Sequence, residues 1–213
     1  MKKIIIIGSA GLGREIKSIL DSINKQAPTW DLVGFYDDAF TKPYEVTDGI
    51  NCLGVIDDIK DQQPDDISIV FGIADRFIVK SITEAFSGRG YHYPNIIHPT
   101  VEICNMTTMG KGNVMAFQSF ISTDVKVGDF NFLNTFAAIG HDVVLGDFNA
   151  LNPRVQISGN VLIGSLNMFG MSSAVVQNKI IGNKNIINSF SLLTKSIKDE
   201  RKYFGIPARR ISI

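Results

Sequence analysis

The chain has 213 residues, 45% of them apolar and 20% charged, enough for one large domain or two modest ones with proper cores. Its 21 basic and 21 acidic residues cancel and neither sign runs in a long block, which argues against a broad nucleic-acid-binding surface. Cys52 and Cys104 make no disulfide framework, and Met1-Lys2-Lys3 followed by four isoleucines is far short of a signal segment or membrane span, so a reduced, cytoplasmic setting is expected.

The first 95 residues read as a small Rossmann-like α/β domain. An apolar β-branched run at residues 3–7 leads into Gly8-Ser9-Ala10-Gly11-Leu12-Gly13 and then into a stretch with helical apolar spacing, which is strand, glycine turn, helix. Such a turn lets a ligand approach the backbone and presents the unpaired N–H groups of a helix start, which can hold phosphate without any net charge on the protein. A second strand, Asp31 to Tyr36, ends in Asp37-Asp38, where carboxylates in doubly wound sheets meet a ribose or base. A third, Ile67 to Phe71, ends at Gly72-Ile73-Ala74, with a helix expected over residues 76–86 and a short strand over 93–97. Three strands ending in Gly or Asp clusters on one rim point to a nucleotide site. About 95 residues supply only half of a dinucleotide fold, which disfavours a dehydrogenase.

From Ile97 to Leu193 every sixth residue is apolar, seventeen in succession. At this composition the run has a chance probability of roughly 10⁻⁶, so it is an internal repeat. The following slot is mostly small and the fifth is small or modest, with several asparagines among its occupants. A period of six fits neither a helix nor a meander. It fits a triangular β-solenoid, three hexads to a coil, with the first and fifth slots pointing inward and the third and fourth outward, giving five to six coils spaced roughly 4.8 Å apart. The solenoid is placed at 96–198 and a C-terminal extension at 199–213, with the charged stretch Lys195 to Lys202 read as a solvated cap against end-to-end stacking.

Of the three histidines, His98 marks the start of the solenoid and His92 lies in the connection, with no role assigned. His141 takes the third slot of Ile139-Gly140-His141-Asp142-Val143-Val144, which places it and Asp142 together at an outer corner. An imidazole beside a carboxylate is the arrangement of a general base with a fixed tautomer. Zinc chemistry of the carbonic anhydrase kind needs three histidines together, so no metal is expected.

The loop Gly8 to Gly13, Phe35-Tyr36-Asp37-Asp38, Ile97-His98-Pro99, Gly140-His141-Asp142 and Gly205-Ile206-Pro207-Ala208-Arg209 together resemble the hexapeptide-repeat sugar acetyltransferases, namely the sialic acid O-acetyltransferases and nucleotide 4-amino-sugar N-acetyltransferases of bacterial glycan pathways. The resemblance implies a left-handed parallel β-helix, a homotrimer with active sites between neighbouring solenoids, and acetyl-CoA as acetyl donor. It implies that Ala10, Gly11, Leu12, Asp37, Asp38 and Gly72 line a nucleotide-sugar site, that Asn134 touches the sugar, and that His141 is the base with Asp142 as partner. Met171, Ser189 and Ala150 take the positions that meet CoA, Ala150 replacing a histidine of some relatives. The expected reaction is acetyl transfer to the amine of a nucleotide-linked amino sugar of the 4-amino-4,6-dideoxy type, for surface glycan synthesis. O-acetylation of a sialic acid hydroxyl is the runner-up, and a non-catalytic trimeric scaffold that senses a nucleotide is a third reading.

Overall fold

The computed structural model describes residues 1–61 and 67–211, which fall into two compact units, Met1–Pro99 and Thr100–Ile213. In the first, β1 (Lys2–Ile7), α1 (Gly11–Gln26), β2 (Trp30–Tyr36), β3 (Tyr44–Thr47), β4 (Ile50–Gly54), β5 (Ser68–Phe71) and α2 (Arg76–Ala85) follow in that order. The sheet order is β3-β4-β2-β1-β5, with β1 parallel to β2 and β5, and β4 parallel to β2. Ile4, Ile5, Ile6 and Ile7 are all 0% exposed, as a central parallel strand covered on both faces requires.

The strand expected from residue 67 begins at Ser68, although Ile67 is itself buried. Its neighbour at the edge is His92, which pairs with Ser68 in a parallel bridge. The short strand expected over 93–97 is confined to Ile96–Ile97. The strands β3 and β4 had no counterpart in the sequence reading: they form an antiparallel hairpin whose turn residues Asp48 and Gly49 both have positive φ, 48° and 75°, the conformation that Asp-Gly turns favour.

The second unit is a parallel β-helix. Two-residue strands recur every six residues from Glu102–Ile103 to Leu192–Leu193, and each pairs with the strand eighteen residues on, as in Phe120↔Ala138, Lys126↔Val144 and Phe132↔Ala150. The first slot fills the core, with Met115, Ile121, Leu133, Ile139, Leu151 and Phe169 at 0% exposure. Fifth-slot residues Val125, Ala137, Val143, Val155 and Val161 are likewise 0% exposed. On one edge that slot holds Asn113, Asn131, Asn149, Asn167 and Asn185, all buried. Each Oδ1 in this ladder accepts the backbone N–H of the next asparagine, at 2.8, 2.8, 2.9 and 2.8 Å. Buried amides are tolerable because they satisfy one another.

The fourth slot turns each corner in the left-handed region, with φ of 58° at Asp124, 58° at Asp142, 54° at Asn160 and 60° at Asn178 on one edge. Corner N–H groups bond back to the preceding coil, Asp142 to the Thr123 carbonyl at 3.2 Å and Asn160 to the His141 carbonyl at 2.8 Å. The winding also runs past Leu193. Ile197 bridges to Ile181, Lys202–Phe204 pairs parallel with Ile186–Ile187, and Arg209–Ile211 folds back antiparallel on it. Asp199 keeps the corner ladder by accepting the Asn183 N–H at a separation of 16 residues, where inner coils use 18.

Candidate active site

Ile139 and Val143, both 0% exposed, anchor the hexad from inside, so His141 and Asp142 are carried outward. On a flat strand adjacent side chains point to opposite faces. Here the positive φ of Asp142 bends the chain so that both project from one edge. His141 Nδ1 lies 2.7 Å from Asp142 Oδ2, and each side chain is 60% exposed. An ionised carboxylate only accepts, so Nδ1 carries the proton and Nε2 presents a free lone pair. One coil on, Gly159 lies under the ring: a Cβ there would stand 2.5 Å from both Cε1 and Nε2. The absent side chain leaves room for the imidazole.

The other solenoid residues singled out from sequence lie elsewhere on the prism. Asn134, half-buried, accepts the Thr135 N–H at 2.7 Å. Met171 is 41% exposed, and Ser189 occupies the same position one coil later, where the Phe190 N–H bonds to the Met171 carbonyl at 2.9 Å. These three share one edge, while His141 and Asp142 stand on another. Ala150 sits on a flat face between Phe132 and Met168 and is 6% exposed. Within one chain the structure therefore joins His141 to Asp142 and separates them from Asn134, Met171, Ser189 and Ala150.

On the first unit, α1 starts after Ala10 with no side-chain cap. Ala10 and Gly11 are exposed and Leu12 half-buried; a Cβ on Gly11 would meet nothing within 4 Å. Gly72 serves close packing, since a Cβ there would come within 2.6 Å of Gly13 Cα and 2.9 Å of the Gly8 carbonyl oxygen. Asp37 Oδ2 accepts the Ser9 N–H at 2.8 Å and the Ser9 hydroxyl at 2.7 Å, while Oδ1 accepts the Ala39 N–H at 3.0 Å. Burial alone would raise the pKa of this carboxyl, but the donors from Ala39 and Ser9 outweigh it and hold the group below its ordinary value. Asp38, exposed, accepts the Ile56 N–H at 3.0 Å.

Residues that sequence reasoning passed over complete this rim. Tyr44 Oη lies 2.8 Å from Ser9 Oγ, and Lys17 on α1 grips the hairpin turn through Asp48 at 2.6 Å while pairing with Asp21 at 2.8 Å. The Asp48-Gly49 pair was the available signal for the hairpin. The contacts of Ser9 with Asp37 and Tyr44 left no sequence signal, because 28 and 35 residues separate the partners. Among the described residues no group of three or more His, Cys, Asp or Glu could hold a metal ion, and no helix is long and apolar enough to cross a membrane.

Residues 3–86 match the model of the PglD N-terminal domain. Among solved structures, the acetyltransferase domain of PglB from Neisseria gonorrhoeae in complex with acetyl coenzyme A is similar at a TM-score of 0.88 and 22% identity, over 99% of each chain. WeeI from Acinetobacter baumannii is similar at 0.87 and 20%, over 99% of this chain and 100% of that one. PerB from Caulobacter crescentus, in complex with CoA and GDP-perosamine, is similar at 0.85 and 20%, over 100% and 98%. No curated protein sequence matches the chain. Residues 3–86 thus carry the PglD N-terminal domain, and the chain as a whole has the α/β-plus-β-helix fold of the PglB acetyltransferase domain, WeeI and PerB.

Proposed function

We propose that this protein transfers the acetyl group of acetyl-CoA to the amine of a nucleotide-linked amino sugar, with His141 as general base. The observation that carries the reading is the His141–Asp142 pair, bonded at 2.7 Å on an exposed edge with Nε2 free above Gly159. The amine nitrogen attacks the thioester carbonyl, Nε2 takes the proton released from that nitrogen, and collapse of the tetrahedral intermediate breaks the C–S bond. The proton then passes to the departing thiolate of CoA. Asp142 holds the tautomer and stabilises the imidazolium that forms.

The whole-chain likeness to a PglB domain solved with acetyl coenzyme A and to PerB solved with CoA and GDP-perosamine favours a CoA donor and a nucleotide-sugar acceptor. The first unit, with its uncapped helix start and Asp37 at the end of β2, would hold the nucleotide through Ala10, Gly11, Leu12, Asp37 and Asp38, with Gly72 shaping the loop from beneath. Asn134, Met171 and Ser189 stand on a different edge from His141, so a site that unites them needs a second copy of the chain, in keeping with the expected homotrimer. Ala150 would border the CoA arm without a polar contact.

The test is incubation of the protein with acetyl-CoA and a panel of UDP-, GDP- and dTDP-linked 4-amino sugars alongside free and CMP-linked sialic acids, following CoA thiol release and product mass. An amino-sugar product heavier by one acetyl group is expected. Acetylation of the sialic acids alone would replace the N-acetyl reading with the O-acetyl one, and release with no acceptor would remove both.

A further inference from the structure

The hydrogen bonds around Asp37 have a fixed direction. The carboxylate is held ionised and only accepts, and Ser9 spends its single hydroxyl proton on Oδ2 at 2.7 Å. The 2.8 Å contact between Ser9 Oγ and Tyr44 Oη must therefore be donated by Tyr44, whose one proton is then used. What remains on the Tyr44 oxygen is acceptor capacity, with the buried Cys52 thiol as its other neighbour. The residue is 38% exposed, and the contact between its hydroxyl and Ser9 is itself solvent-facing.

The hairpin that carries Tyr44 is held in place. Tyr44 pairs with Cys52 across the hairpin, β4 pairs with β2 at Phe35↔Cys52, and the far end of the hairpin is gripped by Lys17 through Asp48. An oxygen that can only accept refuses phosphate, which also only accepts, and takes an O–H or N–H from the ligand. The rim thus divides its work. The uncapped amides at the start of α1 suit an anion, while Tyr44, tied to the carboxylate at the end of β2, suits a hydroxyl of the adjoining sugar.

We propose that Tyr44 is a specificity-determining residue that accepts a hydrogen bond from the ribose 2′-hydroxyl, so that the site favours ribonucleotides over 2′-deoxyribonucleotides. The inference rests on the reading that the first unit binds the nucleotide, and it narrows the acceptor to sugars carried on UDP, GDP or another ribonucleotide. A neutral hydrogen bond at a half-exposed position is worth about a tenfold difference in affinity.

The experiment is calorimetric titration of the full chain with UDP, GDP and CDP and with their 2′-deoxy counterparts. For the diphosphate that binds best, the ribo form should bind about tenfold tighter than the deoxy form. Tyr44→Phe should bring the ratio to within about twofold by weakening only the ribo form. Asp48→Asn, which loosens the same hairpin and keeps the hydroxyl, should weaken both forms together and leave the ratio intact. Equal binding of ribo and deoxy forms to the wild type, an unchanged ratio in Tyr44→Phe, or a collapsed ratio in Asp48→Asn would each overturn the assignment of Tyr44. Absence of binding by every nucleotide would instead remove the nucleotide reading itself.

Discussion

Replacing Gly159 by alanine puts one methyl group where the base is seated. The new Cβ would lie 2.5 Å from Nε2 and Cε1 of His141 and 3.0 Å from Cδ2, against an ordinary contact of roughly 3.5–4.0 Å, so the ring must move outward by about 1 Å. Gly159 is absent from the residues with positive φ, so alanine fits its backbone and the coil should fold as before. A misplacement of about 1 Å costs on the order of 10²-fold in rate, or about 2.7 kcal/mol of transition-state stabilisation. Steady-state kcat/KM for acetyl transfer should fall by about that factor in Gly159→Ala, with an unchanged circular dichroism spectrum and thermal midpoint. His141→Ala combined with Gly159→Ala should be no slower than His141→Ala alone, because both changes act on one group. Near-normal turnover of the single variant, or full additivity in the double, would refute the placement of His141 as the base.

The depressed pKa of Asp37 sets a stability prediction. Because the folded value lies below the unfolded value of about 3.9, the unfolded chain takes up protons first as pH falls, so the contribution is complete above that value and is lost as pH drops through the folded pKa. The thermal midpoint of the first unit should therefore fall less steeply below about pH 4 in Asp37→Asn than in the wild type; parallel curves would show that the bonds from Ser9 and Ala39 contribute nothing. In the solenoid, Asn167→Leu removes the acceptor of both the backbone N–H and the side-chain amide of Asn185, while Asn149 Oδ1 keeps the backbone N–H of residue 167. Stranding these two buried donors costs roughly 1–3 kcal/mol each, together a drop of roughly 8–24 °C in the solenoid midpoint by calorimetry at about 4 °C per kcal/mol. A drop under about 1 °C would mean that the ladder is not a net stabiliser.

The winding was readable in the sequence because a first-slot residue meets the same surroundings in every coil. Met115, Leu133, Leu151 and Phe169 stack on one another at eighteen-residue spacing, so each must be apolar. The fifth-slot asparagines were visible at the same spacing, but the ladder they form appears only once the coils are stacked. The left-handed backbone of the corners was not legible, because the fourth slot is held by Phe136, Arg154, Leu166 and Lys184, residues that carry no glycine-like mark. Their conformational cost is offset by a bond from each corner N–H to the preceding coil, such as Arg154 to the Thr135 carbonyl at 3.0 Å, a tertiary effect.

At the candidate site, exposure of His141 and Asp142 followed from their slots, whereas Gly159 beneath the ring emerges only once eighteen residues are counted from His141. Lys195 to Lys202 looked like a solvated end because its charges break the hexad frame. The structure shows Asp199 and Glu200 keeping corner positions in a shortened coil, where Lys184 pairs with Glu200 at 2.9 Å. The Asp37–Ser9–Tyr44 relay joins three separate elements, and no local pattern could have announced it.

Everything proposed for the chemistry converges on one imidazole. The most direct measurement is single-turnover transfer from acetyl-CoA to a nucleotide-linked 4-amino sugar, with wild type and His141→Ala both saturated with the two substrates. The rate of the chemical step should fall by about 10²-fold or more in the variant while the affinity for acetyl-CoA stays the same. Transfer at an undiminished rate would show that the proton leaves by another route and that the pair at the solenoid edge is not the base.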